Sequence, residues 1–286
     1  MPRSAEELVE LLDLETIDVN LFRGIQPDTR LQRVFGGQVA AQALVAGART
    51  VEEPKAVHSL HSYFLRPGDP AVPIVYDVER LRDGRSFSTR RVVARQHGRP
   101  IYYMTVSFQV PEDGLDHQDV MPDVPVPLDA PDLGELLSRG DKKAGEWLEE
   151  WAALELRWIG DSSPHRGNLD GSQMPAQSRI WIRVSGALPD DPLTHHAAFT
   201  YLSDLSLLGS ALVPHGIRVG DPRVQSASLD HTIWFHRPLR ADQWLLYDQH
   251  SPSASGARGL GIGRVFSEDG VLVATVAQEG LIRPVG

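Results

Sequence analysis

The sequence predicts an α+β protein built from two tandem repeats, each a central helix set against a largely antiparallel sheet. Three observations carry that prediction. Helical spacing at 39–50 and again at 195–213 is followed each time by a series of strand-like runs. The segments Leu81-Arg-Asp-Gly-Arg85 and Gln96-His-Gly-Arg99 hold the residues that tight hairpins require. Short echoes also recur. His61-Ser-Tyr-Phe-Leu-Arg-Pro67 returns as His231-Thr-Ile-Trp-Phe-His-Arg-Pro238 with one residue inserted, and Met104-Thr-Val-Ser returns as Ala274-Thr-Val-Ala.

Taken in order, residues 4–13 read as a short amphipathic helix with Leu8, Leu11 and Leu12 on one side. Residues 16–22 alternate as a strand does. Gln32-Arg-Val-Phe-Gly36-Gly37-Gln38 opens the helix at 39–50, where Ala, Gly and Gln dominate and neighbours can pack closely. Two glycines ahead of a helix leave backbone N–H groups open to an anionic oxygen. A tight loop accounts for the same pair. Strand-like runs at 57–65, 72–81, 86–96 and 100–110 complete the first repeat.

Residues 111–150 differ in character. Pro111, Pro122, Pro125, Pro127 and Pro131 interrupt regular structure, and acids are frequent. This stretch reads as a linker with a short helix near 145–151. The second repeat has strands at 154–159 and 178–184, the helix at 195–213, and strands at 226–235, 244–250, 257–266 and 271–282. The expected division is an N-terminal repeat at 1–115, a linker at 116–150 and a C-terminal repeat at 151–286. Fused repeats form an internal pseudo-dimer, which permits a site at their seam.

Composition narrows the function. A hydrophobic share of 41% supports real cores, and a formal net charge of −10 argues against a general nucleic-acid binder. The absence of cysteine removes disulfides, thiolate metal sites and a cysteine nucleophile together. The first residues, Met-Pro-Arg-Ser-Ala-Glu-Glu-Leu, carry acids where a signal peptide has an apolar core. No run reaches the ~18 apolar residues of a membrane span. The C-terminal Arg-Pro-Val-Gly is not a peroxisomal address. These features set the expectation of a soluble, cytoplasmic protein.

One carboxylate stands out. In the helix expected at 195–213, Ala198, Tyr201, Leu202, Leu205, Leu208 and Leu212 form a stripe that Leu207 and Ala211 widen until the helix is apolar nearly all round. Asp204 is its single acid, and Thr200, Tyr201, Leu207 and Leu208 offer it no charge partner. A buried carboxylate needs hydrogen bonds. Either the helix turns Asp204 to water, or polar partners reach it from elsewhere in the chain.

The chain resembles the type II acyl-CoA thioesterases, a double hot-dog family. The resemblance rests on Val34-Phe-Gly-Gly-Gln-Val39, His58-Ser-Leu-His-Ser-Tyr-Phe-Leu-Arg-Pro-Gly-Asp69 and Arg82-Asp-Gly-Arg-Ser-Phe-Ser-Thr-Arg-Arg91. It continues through Leu229-Asp-His-Thr-Ile-Trp-Phe-His-Arg-Pro238 and Asp269-Gly-Val-Leu-Val-Ala-Thr-Val-Ala-Gln-Glu-Gly280, and covers nearly the whole chain. It implies hydrolysis of fatty acyl-CoA to a free fatty acid and coenzyme A, with no cofactor and no metal. It also implies an Asp, a Thr at the start of a strand and a Gln that together hold the hydrolytic water. These fall on Asp204, Ser228 and Gln278. Serine keeps the hydroxyl of the commoner threonine but lacks its rotamer-restricting methyl. A homo-oligomer, dimer or tetramer, is expected from the same resemblance, with Trp234 as a candidate contact.

The residues themselves are compatible with this chemistry. With no cysteine and no Gly-x-Ser-x-Gly, water is the simplest nucleophile for a thioester, and it needs a base and groups that orient it. Gly84-Arg-Ser-Phe-Ser88 is a near miss set in a hairpin. Alternation puts Gln278 on one face with Leu272, Ala274 and Val276, which also suits an ordinary buried amide. Ser228 shares a face with Asp230 and can equally be a plain surface serine. His58 and His61 are candidate auxiliary groups. Arg80, Arg82, Arg85, Arg90, Arg91, Arg95 and Arg99 can meet coenzyme A phosphates or form the wet face of a sheet. Gly259-Leu-Gly-Ile-Gly263 lacks dinucleotide-loop spacing and leads into a strand. His195, His196, His231 and His236 lack the spacing of a zinc hydrolase. Two rivals remain: a non-catalytic acyl-CoA-binding hot-dog protein, and a hot-dog enoyl-CoA hydratase using Asp230 and His231.

Overall fold

The computed structural model describes residues 1–138, 149–161, 176–217 and 220–285. The first half contains α1 (Ala5–Leu12), β1 (Glu15–Asp18), β2 (Leu21–Gly24), α2 (Gly36–Ala48), β3 (Ala56–Phe64), β4 (Ile74–Asp83), β5 (Phe87–Gln96) and β6 (Arg99–Gln109). After α3 (Leu133–Ser138) come β7 (Leu154–Asp161), β8 (Ala176–Val184), α4 (Pro192–Ser203), β9 (Val224–Ser228), β10 (Asp230–Phe235), β11 (Leu245–Ser255), β12 (Arg258–Ser267) and β13 (Leu272–Pro284).

The strands form one antiparallel sheet in which β3 pairs with β10 at the centre. Outward from that seam the order is β6, β5, β4, β2, β1 on one side and β13, β12, β11, β8, β7 on the other, with β9 added to β13. The order is the same in both directions, so the two repeats expected from the sequence meet about a pseudo-twofold axis. Their helices, α2 and α4, lie against each other over the sheet. Residues 37–47 of α2 and 195–203 of α4 are buried, in a core that draws on both halves. The small residues of α2, Ala40, Ala41, Ala43, Ala46 and Gly47, permit this approach.

Register shows which residues are equivalent. Phe64 lies opposite Tyr102 in the first half, as Phe235 lies opposite Ala274 in the second. Val57 lies opposite Phe108, as Ser228 lies opposite Gly280. The Arg-Pro echo therefore holds, with Arg66 matching Arg237. The Thr105 and Thr275 echo is two residues out, because His61 faces Thr105 while its counterpart Thr232 faces Ala277. A slip of two keeps every side chain on its own face, so a short sequence echo cannot detect it.

Several elements differ from expectation. The strand expected at 16–22 is two strands joined by a turn at Val19 and Asn20. Helix α2 starts at Gly36, so both glycines belong to its first turn. The run at 226–235 divides at Leu229. The helix expected near 145–151 falls partly outside the described residues. The linker also holds a 3₁₀ turn, Pro127–Asp129, and α3. It is strapped to the second half: Trp181 Nε1 donates to the Pro125 carbonyl, Gln118 bonds Gly270 and Leu272, and Asp119 pairs with Arg264.

The largest correction concerns α4. Asp191 caps it by accepting from the Thr194 N–H at 2.9 Å, and Pro192 occupies its first turn. It stops at Ser203, well short of 213, and a 3₁₀ turn, Leu207–Ala211, follows. No glycine or proline ends it. Instead, side chains take its last carbonyls: Ser203 Oγ donates to Thr200 O at 2.9 Å, and the Tyr247 hydroxyl donates to Ser203 O at 3.1 Å. The leucines keep helical spacing beyond that point, which is why periodicity overran the end. Glycines on β12 make room for the turn. A Cβ at Gly259 would lie 2.6 Å from Ala211 Cβ, and one at Gly261 would lie 2.8 Å from Leu207 O. The Gly-x-Gly-x-Gly run is thus a packing surface.

Candidate active site

Because α4 ends early, Asp204 is its C-cap residue and projects from the helix terminus. Its partners come from far away in the chain. Asp204 Oδ1 accepts from Ser228 Oγ at 3.0 Å and from Gln278 Nε2, which also donates to Ser228 Oγ at 3.0 Å. Ser228 is the last residue of β9, not the first of a strand, and Gln278 is fully buried within the adjoining β13. The structure therefore brings all three residues into one cluster.

The other half completes the cluster. The Gly37 N–H donates to the Asp204 carboxylate. A Cβ at Gly36 would lie 2.6 Å from Asp204 Oδ2, and one at Gly37 would lie 2.4 Å from the Tyr201 carbonyl. Any larger residue would force the N-terminus of α2 away from the C-terminus of α4. The anionic oxygen that this N-terminus meets belongs to the protein itself.

Burial pushes the Asp204 carboxyl up to about 6, while the bonds from Gln278, Ser228 and Gly37 pull it down. The charged form is held but not strongly favoured, which suits a group that must both take and release a proton near neutrality.

A pocket of about 300 Å³ opens beside the cluster, with Gly36 and Ser228 in its wall. Val34, Val39, Phe64, Leu65, Ile101 and Leu229 make it largely apolar. Tyr102 also lines it. This side chain is only 1% exposed, its hydroxyl finds no hydrogen-bond partner among the described residues, and burial raises its pKa. The hydroxyl stays neutral and keeps its proton, with Ser62 as its polar neighbour. Sequence reading passed over Tyr102, although alternation with Met104, Val106 and Phe108 places it inward, where a tyrosine hydroxyl needs a partner.

Other candidates lie elsewhere. His58 Nε2 bonds Ser107 Oγ at 2.8 Å, and His61 packs edge-on against Trp234. Neither lines the pocket. Ser88 donates to Asp83 at 3.1 Å, beside buried Arg90, which bonds Thr50 and pairs with Asp83. Arg80 bonds Asn20 and Arg91 pairs with Glu79. None of the seven arginines from Arg80 to Arg99 lines the pocket. Asp230 Oδ1 accepts from the Glu279 N–H at 2.6 Å, while His231 is buried against Ser203 Oγ at 2.8 Å. As strand neighbours they point to opposite faces, so they do not form the acid–base pair of a hydratase. His196 packs on Phe235, and burial lowers its pKa to about 4. Among the described residues no helix is long and apolar enough to cross a membrane.

Known proteins resemble the chain along nearly its whole length. Residues 152–281 match the family model described as acyl-CoA thioesterase, and residues 25–109 match that of the acyl-CoA thioesterase N-terminal domain. The chain is 42% identical over 276 residues to acyl-CoA thioesterase 2 of Haemophilus influenzae, covering 96% of each protein. The crystal structure of an acyl-CoA thioesterase II, TesB2, from Mycobacterium marinum has a TM-score of 0.81 and 47% identity, covering 98% of this chain and 99% of that one. A hot-dog protein from Alicyclobacillus acidocaldarius, 23% identical with a TM-score of 0.79, shares the fold over 98% of each chain.

Proposed function

Since the chain belongs to the acyl-CoA thioesterase family and hydrolyses acyl-CoA thioesters, we propose that Asp204, Ser228 and Gln278 carry that hydrolysis with water as the nucleophile. The single observation behind this reading is the cluster itself. A carboxylate poised near pH 6 is held by two side chains and the opposing helix N-terminus, at the wall of an apolar pocket.

In this mechanism the thioester of a fatty acyl-CoA enters through the pocket and lies beside Ser228. Oδ1 of Asp204 is occupied by Ser228 and Gln278, so Oδ2, on the Gly36 side, holds the water. The water oxygen bonds to the carbonyl carbon as Asp204 accepts a proton. Negative charge on the carbonyl oxygen meets the Tyr102 hydroxyl, the Gly37 N–H being already engaged by Asp204. The intermediate then breaks its carbon–sulfur bond. The thiolate takes the proton back from Asp204, leaving a fatty acid and coenzyme A. This route needs neither a cofactor nor a metal.

The same reading retains an N-terminal repeat at 1–115, a linker at 116–150 and a catalytic repeat at 151–286. A homo-oligomer of double units is part of it. The outer face of the seam carries Trp234, 38% exposed, and Tyr63, 51% exposed and stacked on Tyr103, an aromatic surface suited to a second sheet. Light scattering should report a dimer or tetramer at micromolar concentration, and a monomer would remove that part. A cytoplasmic location accompanies the reading.

Thiol release from acyl-CoAs of increasing chain length tests the mechanism, and a chain without cysteine adds no thiol background. Wild-type protein should release thiol, and Asp204→Asn should nearly abolish it. Equal turnover by the two proteins would defeat the assignment.

A further inference from the structure

The two Arg-Pro corners of the molecule are built alike but completed differently. At the first, the Leu65 and Arg66 N–H groups donate to Ile101 O, and Arg66 Nη1 donates to Pro100 O at 2.7 Å. At the second, the His236 and Arg237 N–H groups donate to Val273 O, and Arg237 Nη1 donates to Leu272 O at 2.9 Å. There Arg237 Nη2 closes on an anion, the carboxylate of Asp116 in the linker. The matching edge of Arg66 has no hydrogen bond or ion pair with any described residue.

Arg66 lines the pocket that reaches Ser228 and Gly36. Arg33 lines it as well, is exposed, and likewise has no hydrogen bond or ion pair with any described residue. Among the described residues these are the pocket's only charged lining residues, in a protein whose formal net charge is −10. We propose that Arg33 and Arg66 form a phosphate-binding subsite that takes the phosphate groups of coenzyme A, filling at the first corner the place that Asp116 fills at the second. The assignment of coenzyme A rests on the acyl-CoA hydrolysis reading. The chemistry fits independently of it, because a guanidinium edge suits phosphate oxygens as it does a carboxylate.

Calorimetry with adenosine 3′,5′-bisphosphate, the phosphate-bearing nucleotide fragment of coenzyme A, tests the subsite without turnover. Arg33→Ala and Arg66→Gln should each weaken binding about tenfold, added salt should weaken it in the wild type, and Arg66→Lys should restore part of it. In steady-state assays the same variants should raise KM for acyl-CoA about tenfold with kcat within about twofold. An acyl-pantetheine thioester of the same chain length lacks these phosphates and should keep its kcat/KM in both variants. Bisphosphate that fails to bind the wild type, or binds both variants equally well, overturns the proposal. Equal losses on both thioesters overturn it too, since they would mark Arg66 as a strut between β3 and β6. A wild type that binds bisphosphate through the two arginines but releases no thiol would uphold the subsite and defeat the hydrolysis reading.

Discussion

The two halves share strand order, seam register and corner hydrogen bonds, yet they treat one set of positions in opposite ways. In the second half the strands below the helix end present Ser228, Gln278 and Gly280. At the matching places in the first half stand Val57, Val106 and Phe108, all buried. The fold is content with apolar side chains there. The polar set departs from what packing asks, and its costs are visible: the Gln278 Oε1 atom lacks a partner among the described residues, and Asp204 is charged only against burial. Gly36 and Gly37 likewise give up side chains so that a helix N-terminus can reach the carboxylate. One half supplies the carboxylate and its ligands and the other supplies the dipole, so the fused pair can carry one such cluster where a symmetric dimer of identical chains would carry two.

The comparison can be broken by mutation. The largest effect belongs to Asp204→Asn, which keeps size and hydrogen bonding but cannot take a proton. It should cut kcat by roughly 10²–10⁴ with substrate affinity preserved. Its stability should move the other way. The folded carboxyl, at about 6, sits above its ordinary value of 3.8, so the stability this group contributes is present at low pH and lost as pH rises through about 6. Above that pH the variant should be more stable, by roughly 2–3 kcal/mol, and denaturant titrations should show the gap closing toward pH 4. A gap that widens as pH falls would reverse the assigned cause.

Next in size come Gln278→Ala and Ser228→Ala, each expected to lower kcat by roughly 10–100-fold. Neither should lower it further in an Asp204→Asn background if all three hold one water. Ser228→Thr should stay within a few-fold of wild type. Additive losses in the combined variants would separate the three groups. The mirror substitution, Val106→Gln, should create no second site and should lower stability by about 1–3 kcal/mol, because the new amide lacks the partners that Gln278 has. Chemical denaturation measures it, and a neutral result would mean the first half is less tightly filled than its buried Val57 and Phe108 indicate. Smallest of all, Arg91→Ala, which breaks only a pair with Glu79, should leave KM for acyl-CoA unchanged. A raised KM would restore the arginines of β4 and β5 as the phosphate handle.

Much of this was legible from the residues. Alternation and turn chemistry located β3 to β6 and β10 to β13 to within a few residues, and the Arg-Pro echo exposed the repeat. Asp204 drew attention because nothing within one helical turn could satisfy it, and Ser228 and Gln278 came through the family resemblance. Three things were not legible. The end of α4 is set by side chains of Ser203 and Tyr247 closing on its carbonyls, while the leucines beyond keep helical spacing. Gly36 and Gly37 could be read as an anion site or as a loop until the partner helix was in place. Arg33 and Arg66 were outranked by the denser run from Arg80 to Arg99, because sequence density does not report which arginines line a pocket.

The central claim is that a single carboxylate, raised by burial and held across the seam, activates the water. The pH dependence of kcat/KM tests it most directly. Thiol release should rise with pH through an apparent pKa near 6 and level off above it, as Asp204 loses its proton. In Asp204→Asn the small residual rate should no longer show that inflection. A variant that retains both the inflection and the wild-type rate would contradict the account and move the base to another group.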